Sequence, residues 1–599
     1  MLKKILLPTI MIVLGYGFWI SPNFKEISAG VAIFLFGMVI LERGFKAFSG
    51  GMLEKILKRS TSNLFKSISF GFVSTTLMQS SSLVSVLTIS FLGAGLIELV
   101  QGIGIIYGAN IGTTTGAWLM AGFGLKVKIS AYAMPMLVFG VILIFQKSKT
   151  LNGLGYILTG LGFLFLGIHY MKDGFEAFKN TIDLSSFAVP GFKGLIIFIG
   201  VGILATVVMQ SSHATIILVI AALAAMQITY ENAIALTIGA NIGTTITAII
   251  GSLSSNIDGK RLAGAHFIFN ITTAIIAVIL IGPIMTLVDN ISDILGIAGD
   301  NFTLRLAVFD TFFKTMGVVI MIPFTGKLVW FLETYIKVLK PKKGSSQIET
   351  DTVKYLNDLA LELPDTAFVS VIKESKHLYD NAFEIIAHGL NVKKENIVST
   401  MDIDEVVEEK YRKNMINIDE FYKLKIKNIY SQIIEFSTRA QFNMPQEYVK
   451  LVYKVKLANR DIVEAIKDTK HLQKNLKKYL ASENKTIRNE YNNIRKNLVE
   501  LLRDINTIAL TQEEDVIILL LSKIKVHKKK NDIIANGTLD NLIRQNLITN
   551  EMATSFMNDS SYANRISTHL IAMAEILFVL SNEKIMNLSE DYMEDEDEK

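Results

Sequence analysis

The sequence predicts an all-α protein in two parts, a polytopic membrane part followed by a water-facing bundle of amphipathic helices. Three observations predict it. Charge is divided: residues 1–350 hold 40 Asp, Glu, Lys and Arg and residues 351–599 hold 75, so charged residues go from about 11% to about 30%, against roughly 25% in an average soluble domain. Apolar runs of the length that a membrane-crossing helix needs recur through the first part. A seven-residue motif, Gly-Ala-Asn-Ile-Gly-Thr-Thr, occurs twice, at 108–114 and 239–245. The split excludes both a single soluble enzyme and a disordered chain.

The net charge of +5 is not gathered into one basic domain, so no nucleic-acid partner is expected and the bases are read as membrane topology. The chain has no cysteine, which excludes disulfides, thiolate nucleophiles, Cys-ligated zinc and iron–sulfur clusters. Met1-Leu2-Lys3-Lys4 and the apolar run to Ile20 precede Ser21-Pro22 with no small-x-small cleavage site, which predicts a retained first membrane helix.

Spans are expected near 5–20, 28–48, 97–121, 129–146, 152–172, 231–252, 262–288 and 304–336. Two further apolar stretches, 64–95 and 193–228, are each interrupted by a cluster of hydroxyls and amides. They are read as re-entrant hairpins, because a polar break at membrane depth is tolerated only inside protein or along a cavity. With the N-terminus inside, the inner connections collect Lys3, Lys4, Lys46, Lys55, Lys58, Arg59, Lys66, Lys147, Lys149, Lys260, Arg261, Lys337, Lys340, Lys342 and Lys343. The outer ones have fewer bases, Lys25, Lys126, Lys128, Lys172, Lys179 and Lys193, the last three mixed with Asp173, Glu176 and Asp183. The bias predicts eight spans, two hairpins and both termini in the cytoplasm of a plasma (inner) membrane protein.

The membrane part repeats itself. Gly37 and Gly44-Phe45-Lys46-Ala47-Phe48 answer to Gly167 and Gly174-Phe175-Glu176-Ala177-Phe178, and Met78-Gln79-Ser80-Ser81 answers to Met209-Gln210-Ser211-Ser212. The offsets, 130 and 131, match that of the seven-residue motif. The copies span about 28–146 and 152–288. Each holds three crossings and a hairpin, and an odd number of crossings turns the second copy upside down. Inverted repeats are the signature of a secondary transporter whose site lies where broken helices meet at mid-membrane; no enzyme is expected.

The hairpin tips, Gln79-Ser80-Ser81-Ser82 and Gln210-Ser211-Ser212-His213, would face each other in an inverted pair. A half-helix beginning at a tip offers free N–H groups and a positive dipole end, and serine and glutamine add neutral donors. Such a set holds an oxyanion without a basic residue. The plainer reading, serines bonding back to the preceding turn, fits one serine better than two matched tips. In the twin motifs, Gly108, Gly112, Gly239 and Gly243 would let the helix unwind and free its carbonyls. Asn110, Thr113, Thr114, Asn241, Thr244 and Thr245 would add oxygens of the kind sodium takes; a close-packed helix crossing is the alternative. Glu98 and Glu231 read as partners of helix N-termini. Asp310 and Lys314, four apart in the last span, read as a structural ion pair or as a coupling element. His266 and Asn270, four apart in the span before, read as an interhelical polar pair, with coupling as the alternative.

Paired QSS tips, the twin motifs and the Ala265-His266-Phe267-Ile268-Phe269-Asn270 helix resemble the type II sodium-dependent phosphate cotransporter family in its bacterial branch, over residues 28–335. The resemblance implies sodium-coupled uptake of inorganic phosphate. Phosphate would then lie at Gln79, Ser80, Ser81, Ser82, Gln210, Ser211 and Ser212, with sodium at the adjoining centre of Asn110, Thr113, Thr114, Asn241, Thr244 and Thr245. His213 stands where a third serine is common, and Asp310 and Lys314 where the family pattern favours histidine and asparagine.

After Pro341-Lys342-Lys343 a linker is expected to residue 354, then a helical bundle over 355–589 and an acidic tail over 590–599. Tyr422, Ile426, Ile429, Ile433 and Phe436 form one apolar stripe, and Phe368, Val371, Leu378, Ala382 and Ile385 another. Pro364-x-x-Ala367, Asn459-Arg460-Asp461 and Asn558-Asp559-Ser560-Ser561-Tyr562, the last expected just before the final helix, resemble the PhoU-like domain of bacterial members. Lys523–Lys530 is expected to be a solvated helix face, with contact to the anionic inner leaflet as the alternative. The expected function is a sodium-coupled importer of inorganic phosphate with a regulatory cytoplasmic domain and no cofactor besides the coupling ion. A symporter of another oxyanion or a carboxylate, and a membrane phosphate sensor, are the alternatives. The sequence sets no oligomeric state and leaves a homo-oligomer open.

Overall fold

The computed structural model describes residues 2–48, 61, 63–124, 130–179, 189, 191–253, 255–337, 350–408, 417–442, 444–511, 513–530 and 536–580. Lys55, Lys58, Arg59, Lys126, Lys128, Asp183, Lys340, Lys342 and Lys343, most of the expected linker and the acidic tail lie outside these residues. Every regular element among the described residues is helical. The chain forms two compact units, Met1–Val338 and Leu339–Lys599.

In the membrane unit α1 (Leu2–Ile20) and α2 (Pro22–Phe48) are followed by α3 (Leu64–Met78), α4 (Ser81–Gly93), α5 (Leu99–Gly112), α6 (Thr114–Trp118) and α7 (Ser130–Ile144). The second copy comprises α8 (Lys149–Lys179), α9 (Gly191–Met209), α10 (Ser212–Ala224), α11 (Tyr230–Gly243), α12 (Thr245–Ser252), α13 (Ile257–Ile279) and α14 (Ile281–Ile294). It is followed by α15 (Phe302–Met321) and α16 (Thr325–Tyr335). Among the described residues six helical stretches are long and apolar enough to cross a membrane: Pro22–Phe45, Thr150–Ala177, Gly191–Met209, Tyr230–Ser252, Ile257–Ile279 and Phe302–Tyr335. Gly191–Met209, read from the sequence as one limb of a hairpin, is thus long enough to cross alone, whereas its counterpart α3 has 15 residues.

The inversion is visible in the first helix of each copy. Gly30 of α2 lies against Met171 and Gly167 of α8, Gly37 against Leu164 and Gly160, and Gly44 against Ile157 and Gly153, so the two helices run antiparallel. The glycines recur every seven residues on both helices, 30, 37 and 44 against 160, 167 and 174. A methyl group on Gly37 would meet the Leu164 nitrogen at 2.7 Å, so only hydrogen fits there.

The same logic seats each hairpin on its motif helix. A methyl on Gly108 would lie 1.9 Å from the Ile68 carbonyl oxygen, and one on Gly239 lies 2.1 Å from that of Ile199. These glycines therefore bring α3 onto α5 and α9 onto α11, backbone to backbone. The expected unwinding does not occur: α5 and α11 stay helical through Gly112 and Gly243, and Thr113 and Thr244 keep right-handed helical angles. Small residues here allow close approach, and the carbonyls stay in the helix ladder. Glu98 and Gln101 form a capping box at the start of α5, as expected of a dipole partner.

The second unit packs α17 (Pro364–Gly389), α18 (Lys427–Ala440), α19 (Gln446–Leu480), α20 (Lys485–Leu510), α21 (Glu514–Lys530) and α22 (Asn550–Ala574) around one apolar core. Phe368, Val371, Leu378, Ala382 and Ile385 are all buried there, as are Ile426, Ile429, Ile433 and Phe436. Pro364 opens α17 at its first helical position, where its missing N–H costs nothing. Asn558–Tyr562 lies inside α22, a correction to its expected place before the last helix; Thr549, nine residues upstream, is the true cap, accepting from the Met552 N–H.

Candidate functional site

Both tips reverse the chain identically. Gln79 and Gln210 sit in the left-handed region with φ of 52° and 53°, and the serine after each is extended and caps the next helix. Ser80 Oγ accepts from the Leu83 N–H at 3.2 Å and Ser211 Oγ from the Ala214 N–H at 3.1 Å. Each cap contributes roughly 1 kcal/mol to its half-helix. It leaves the first N–H groups of α4 and α10 with no intrahelical partner, turned toward the tip.

The tips meet at one turn of the chain, the break between α5 and α6. From the first tip, Gln79 Nε2 donates to Thr115 Oγ1 at 3.2 Å and to the Thr76 carbonyl at 2.5 Å. From the second tip, His213 is buried with its ring on Gly116, where a methyl group would come within 1.6 Å of Cε1. The imidazole stacks on Phe34, ring centroids 6.0 Å apart, and hydrogen-bonds the Thr113 main chain. The third approach is from α15, which packs on α5 and α6 of the first copy and on α10 and α11 of the second. Lys314 Nζ donates to Thr113 Oγ1 at 2.8 Å and is paired with both oxygens of Asp310 at 2.8 and 2.9 Å. Asp310 and Lys314 have 0% and 2% of their side chains exposed, so the pair is shut away from water.

Other expected residues divide. Ser81 and Ser212 are buried at their tips and Ser82 half-buried, while Gln210 is exposed and does not mirror Gln79. Asn110 turns back to the Ile106 carbonyl at 2.9 Å. Its counterpart Asn241 instead donates to Asn270 Oδ1 at 3.2 Å, and Asn270 Nδ2 returns a bond to the Asn241 carbonyl at 3.0 Å. Thr244 and Thr245 donate to the Ala240 and Ile242 carbonyls at the end of α11, and Thr114 is buried at the start of α6. Of the expected interhelical polar pair, Asn270 bonds across helices to Asn241, while both ring nitrogens of the buried His266 lack a hydrogen bond.

Sequence reasoning missed Thr115, Gly116 and Phe34. A signal for Gly116 was present. At the 131-residue offset His213 answers to Ser82 and Gly116 answers to Thr247. Where the second tip gains an imidazole, the opposite turn loses its side chain.

The Na+/Pi-cotransporter family model matches residues 33–173 and 191–308, which contain both tips, both motifs, His266 and Asn270. Over these residues the membrane unit is similar to the Na+/Pi-cotransporter family. The chain is 24% identical over 375 residues to YjbB of Escherichia coli, whose name assigns it provisionally to inorganic phosphate export, covering 61% of this chain and 64% of that one. YjbB of Salmonella typhimurium is 24% identical over 374 residues, 60% of this chain and 64% of that one. YqeW of Bacillus subtilis, a protein of uncharacterised function, is 26% identical over 309 residues, 50% of this chain and 94% of its own. The chain thus spans just under two thirds of the YjbB relatives' length. No solved structure matches it.

In the second unit of this chain, acids of the motif region are paired within the bundle. Asp461 meets His569 at 2.9 Å, and Asp468 accepts from Arg565 at 2.5 and 3.1 Å. Asp559 takes the Tyr491 hydroxyl at 2.5 Å. Burial pushes the Asp559 carboxyl up to about 6 despite that bond. Among the described residues no group of three or more His, Asp or Glu is placed to hold a metal.

Proposed function

We propose that this chain is a sodium-coupled symporter of inorganic phosphate, moving it inward wherever sodium runs inward, with a regulatory PhoU-like bundle on the cytoplasmic side. The observation that carries the reading is the convergence of both tips on Thr113–Gly116, Gln79 from one side and His213 from the other. Unpaired N–H groups of two half-helices and the tip hydroxyls make a neutral donor set, while the Gln79 amide, whose two hydrogens go to Thr76 and Thr115, fixes the first tip. An oxyanion is held there by directed bonds and released again, since no basic side chain grips it on its own account. The charged group nearby, Lys314, is already neutralised by Asp310. In this reading Gln79, Ser80–Ser82 and Ser211–Ser212 face phosphate, and Asn241, Thr244, Thr245 and Asn270 form the sodium-facing centre of the second copy. The domain limits, 1–340 for the membrane part and 355–589 for the bundle, and cytoplasmic termini belong to the same proposal.

Uptake of labelled phosphate into proteoliposomes tests it. Accumulation driven by sodium and not by potassium, and not matched by sulfate, is the expected result. Equal sulfate transport turns the reading to a general oxyanion symporter, and binding without counterflow turns it to a sensor. The YjbB name favours a second reading, export; the sign of net flux under an imposed sodium gradient separates the two.

A further inference from the structure

We propose that the ammonium of Lys314 permanently fills the cation position of the first repeat, so that coupling sodium binds in the second repeat alone. The inference rests on the phosphate-symport reading only for its physiological meaning; the cation assignment itself stands on geometry.

A family built on an inverted repeat has two equivalent polar centres, Asn110 with Thr113 and Asn241 with Thr244. In this chain they are not equivalent. The Thr113 hydroxyl spends its proton on the Asn110 carbonyl at 2.6 Å and turns its oxygen to Lys314 Nζ at 2.8 Å. An ammonium carries three donors and no acceptor, so it takes from a hydroxyl oxygen what a sodium ion takes, a lone pair. Two monovalent cations cannot share that oxygen in a buried, weakly polar interior without strong repulsion. Asp310, fully buried, accepts from the same ammonium through Oδ2 at 2.9 Å and holds Oδ1 2.8 Å from it, so its charge is already matched by Lys314.

The second centre has no such occupant. Asn241 and Asn270 exchange bonds, and Thr244 donates to Ala240 at 3.0 Å, which leaves its oxygen lone pairs uncommitted to any cation of the chain. One turn from Asn270, His266 is buried with neither ring nitrogen bonded, an acceptor with no donor facing it. One repeat thus carries a tethered cation and the other carries acceptors.

The test uses the full chain, purified and reconstituted, with two readouts of sodium: the Hill slope of phosphate uptake, and the sodium-dependent rise in melting temperature in detergent. Lys314→Met removes the ammonium and frees Thr113 and Asp310 together. Its Hill slope for sodium is expected to rise by one, and sodium is expected to stabilise it more than it does the parent. Asp310→Asn with Lys314→Met replaces the pair by neutral groups of similar size. It reads the same gain if the single variant does not fold. Unchanged slope and unchanged sodium stabilisation in whichever of these folds overturns the proposal. If the parent moves no phosphate yet Lys314→Met gains sodium stabilisation, the symport reading falls and the cation assignment stands.

Discussion

His213 occupies a space that only a glycine leaves open. Gly116→Ala puts a carbon 1.6 Å from the imidazole, and overpacking of this kind costs about 1–3 kcal/mol. The expected result is a lower melting temperature in detergent for Gly116→Ala, with much of it recovered in Gly116→Ala/His213→Ser. A double variant no more stable than the single one would remove the pairing. The glutamines are expected to differ: Gln79 ties its tip to Thr115, while Gln210 is exposed. Gln79→Ala should lower phosphate uptake about tenfold, two part-buried hydrogen bonds worth about 1 kcal/mol each being lost, and Gln210→Ala should lower it less. Equal losses would restore the symmetric tip. The symmetric pattern was legible because duplicated motifs name the same positions twice. The asymmetry was not, because it arises between residues 97 apart in sequence, His213 and Gly116, whose contact depends on how the copies dock.

The closest helix contacts in the membrane unit run through glycines, so packing there is decided by what a methyl group would strike. Gly37→Leu drives a branched side chain into the α8 backbone and is expected to abolish stable expression, whereas Gly122→Leu, with nothing within 4 Å, should be tolerated; fluorescence-detected gel filtration reads both. In the bundle, α17 holds residues 351–355 by a different device. Glu374 Oε2 accepts the Lys354 and Tyr355 N–H groups at 2.9 and 2.7 Å, and His377 bridges Glu374 and Asp351 at 2.7 Å to each. Burial lowers the His377 pKa, but its bonds to Asp351 and Glu374 outweigh this and raise it to about 9. Burial likewise opposes the shift of Asp351, whose bonds to His377 and Asn381 hold it below the usual carboxylate range. A raised histidine stabilises fully below its ordinary 6.5 and loses that as pH rises through 9; a depressed carboxylate loses its share as pH falls below 3.8. Protection of the Lys354 and Tyr355 amides from hydrogen exchange should therefore fall between pH 6.5 and 9, and His377→Gln should remove that fall. A parent protein with flat protection across this range would show that His377 does not hold the segment.

At the scale of the whole molecule, two compact units predict that one works without the other. Truncation after Lys343 is expected to leave a protein that inserts and moves phosphate with altered regulation; a folded, inserted truncation that moves none would place part of the machinery in the bundle. The division into units was legible in the distribution of charge, since lipid and water select opposite compositions. Span limits were less so. Hydropathy does not tell a 19-residue helix that crosses from one that turns back, as Gly191–Met209 illustrates. The pairing of α2 with α8 also bears on ancestry. Gly30, Gly37 and Gly44 meet the helix carrying their own counterparts, Gly160, Gly167 and Gly174, in reverse order. A surface that binds its own inverted copy is self-complementary. A single-copy progenitor would have carried a complete dimer interface before any gene fusion, provided it could insert in both orientations. The imprint should survive: residues 1–146 and 147–337 expressed as separate chains are expected to reassemble in the membrane, and Gly37→Leu in the first should prevent it.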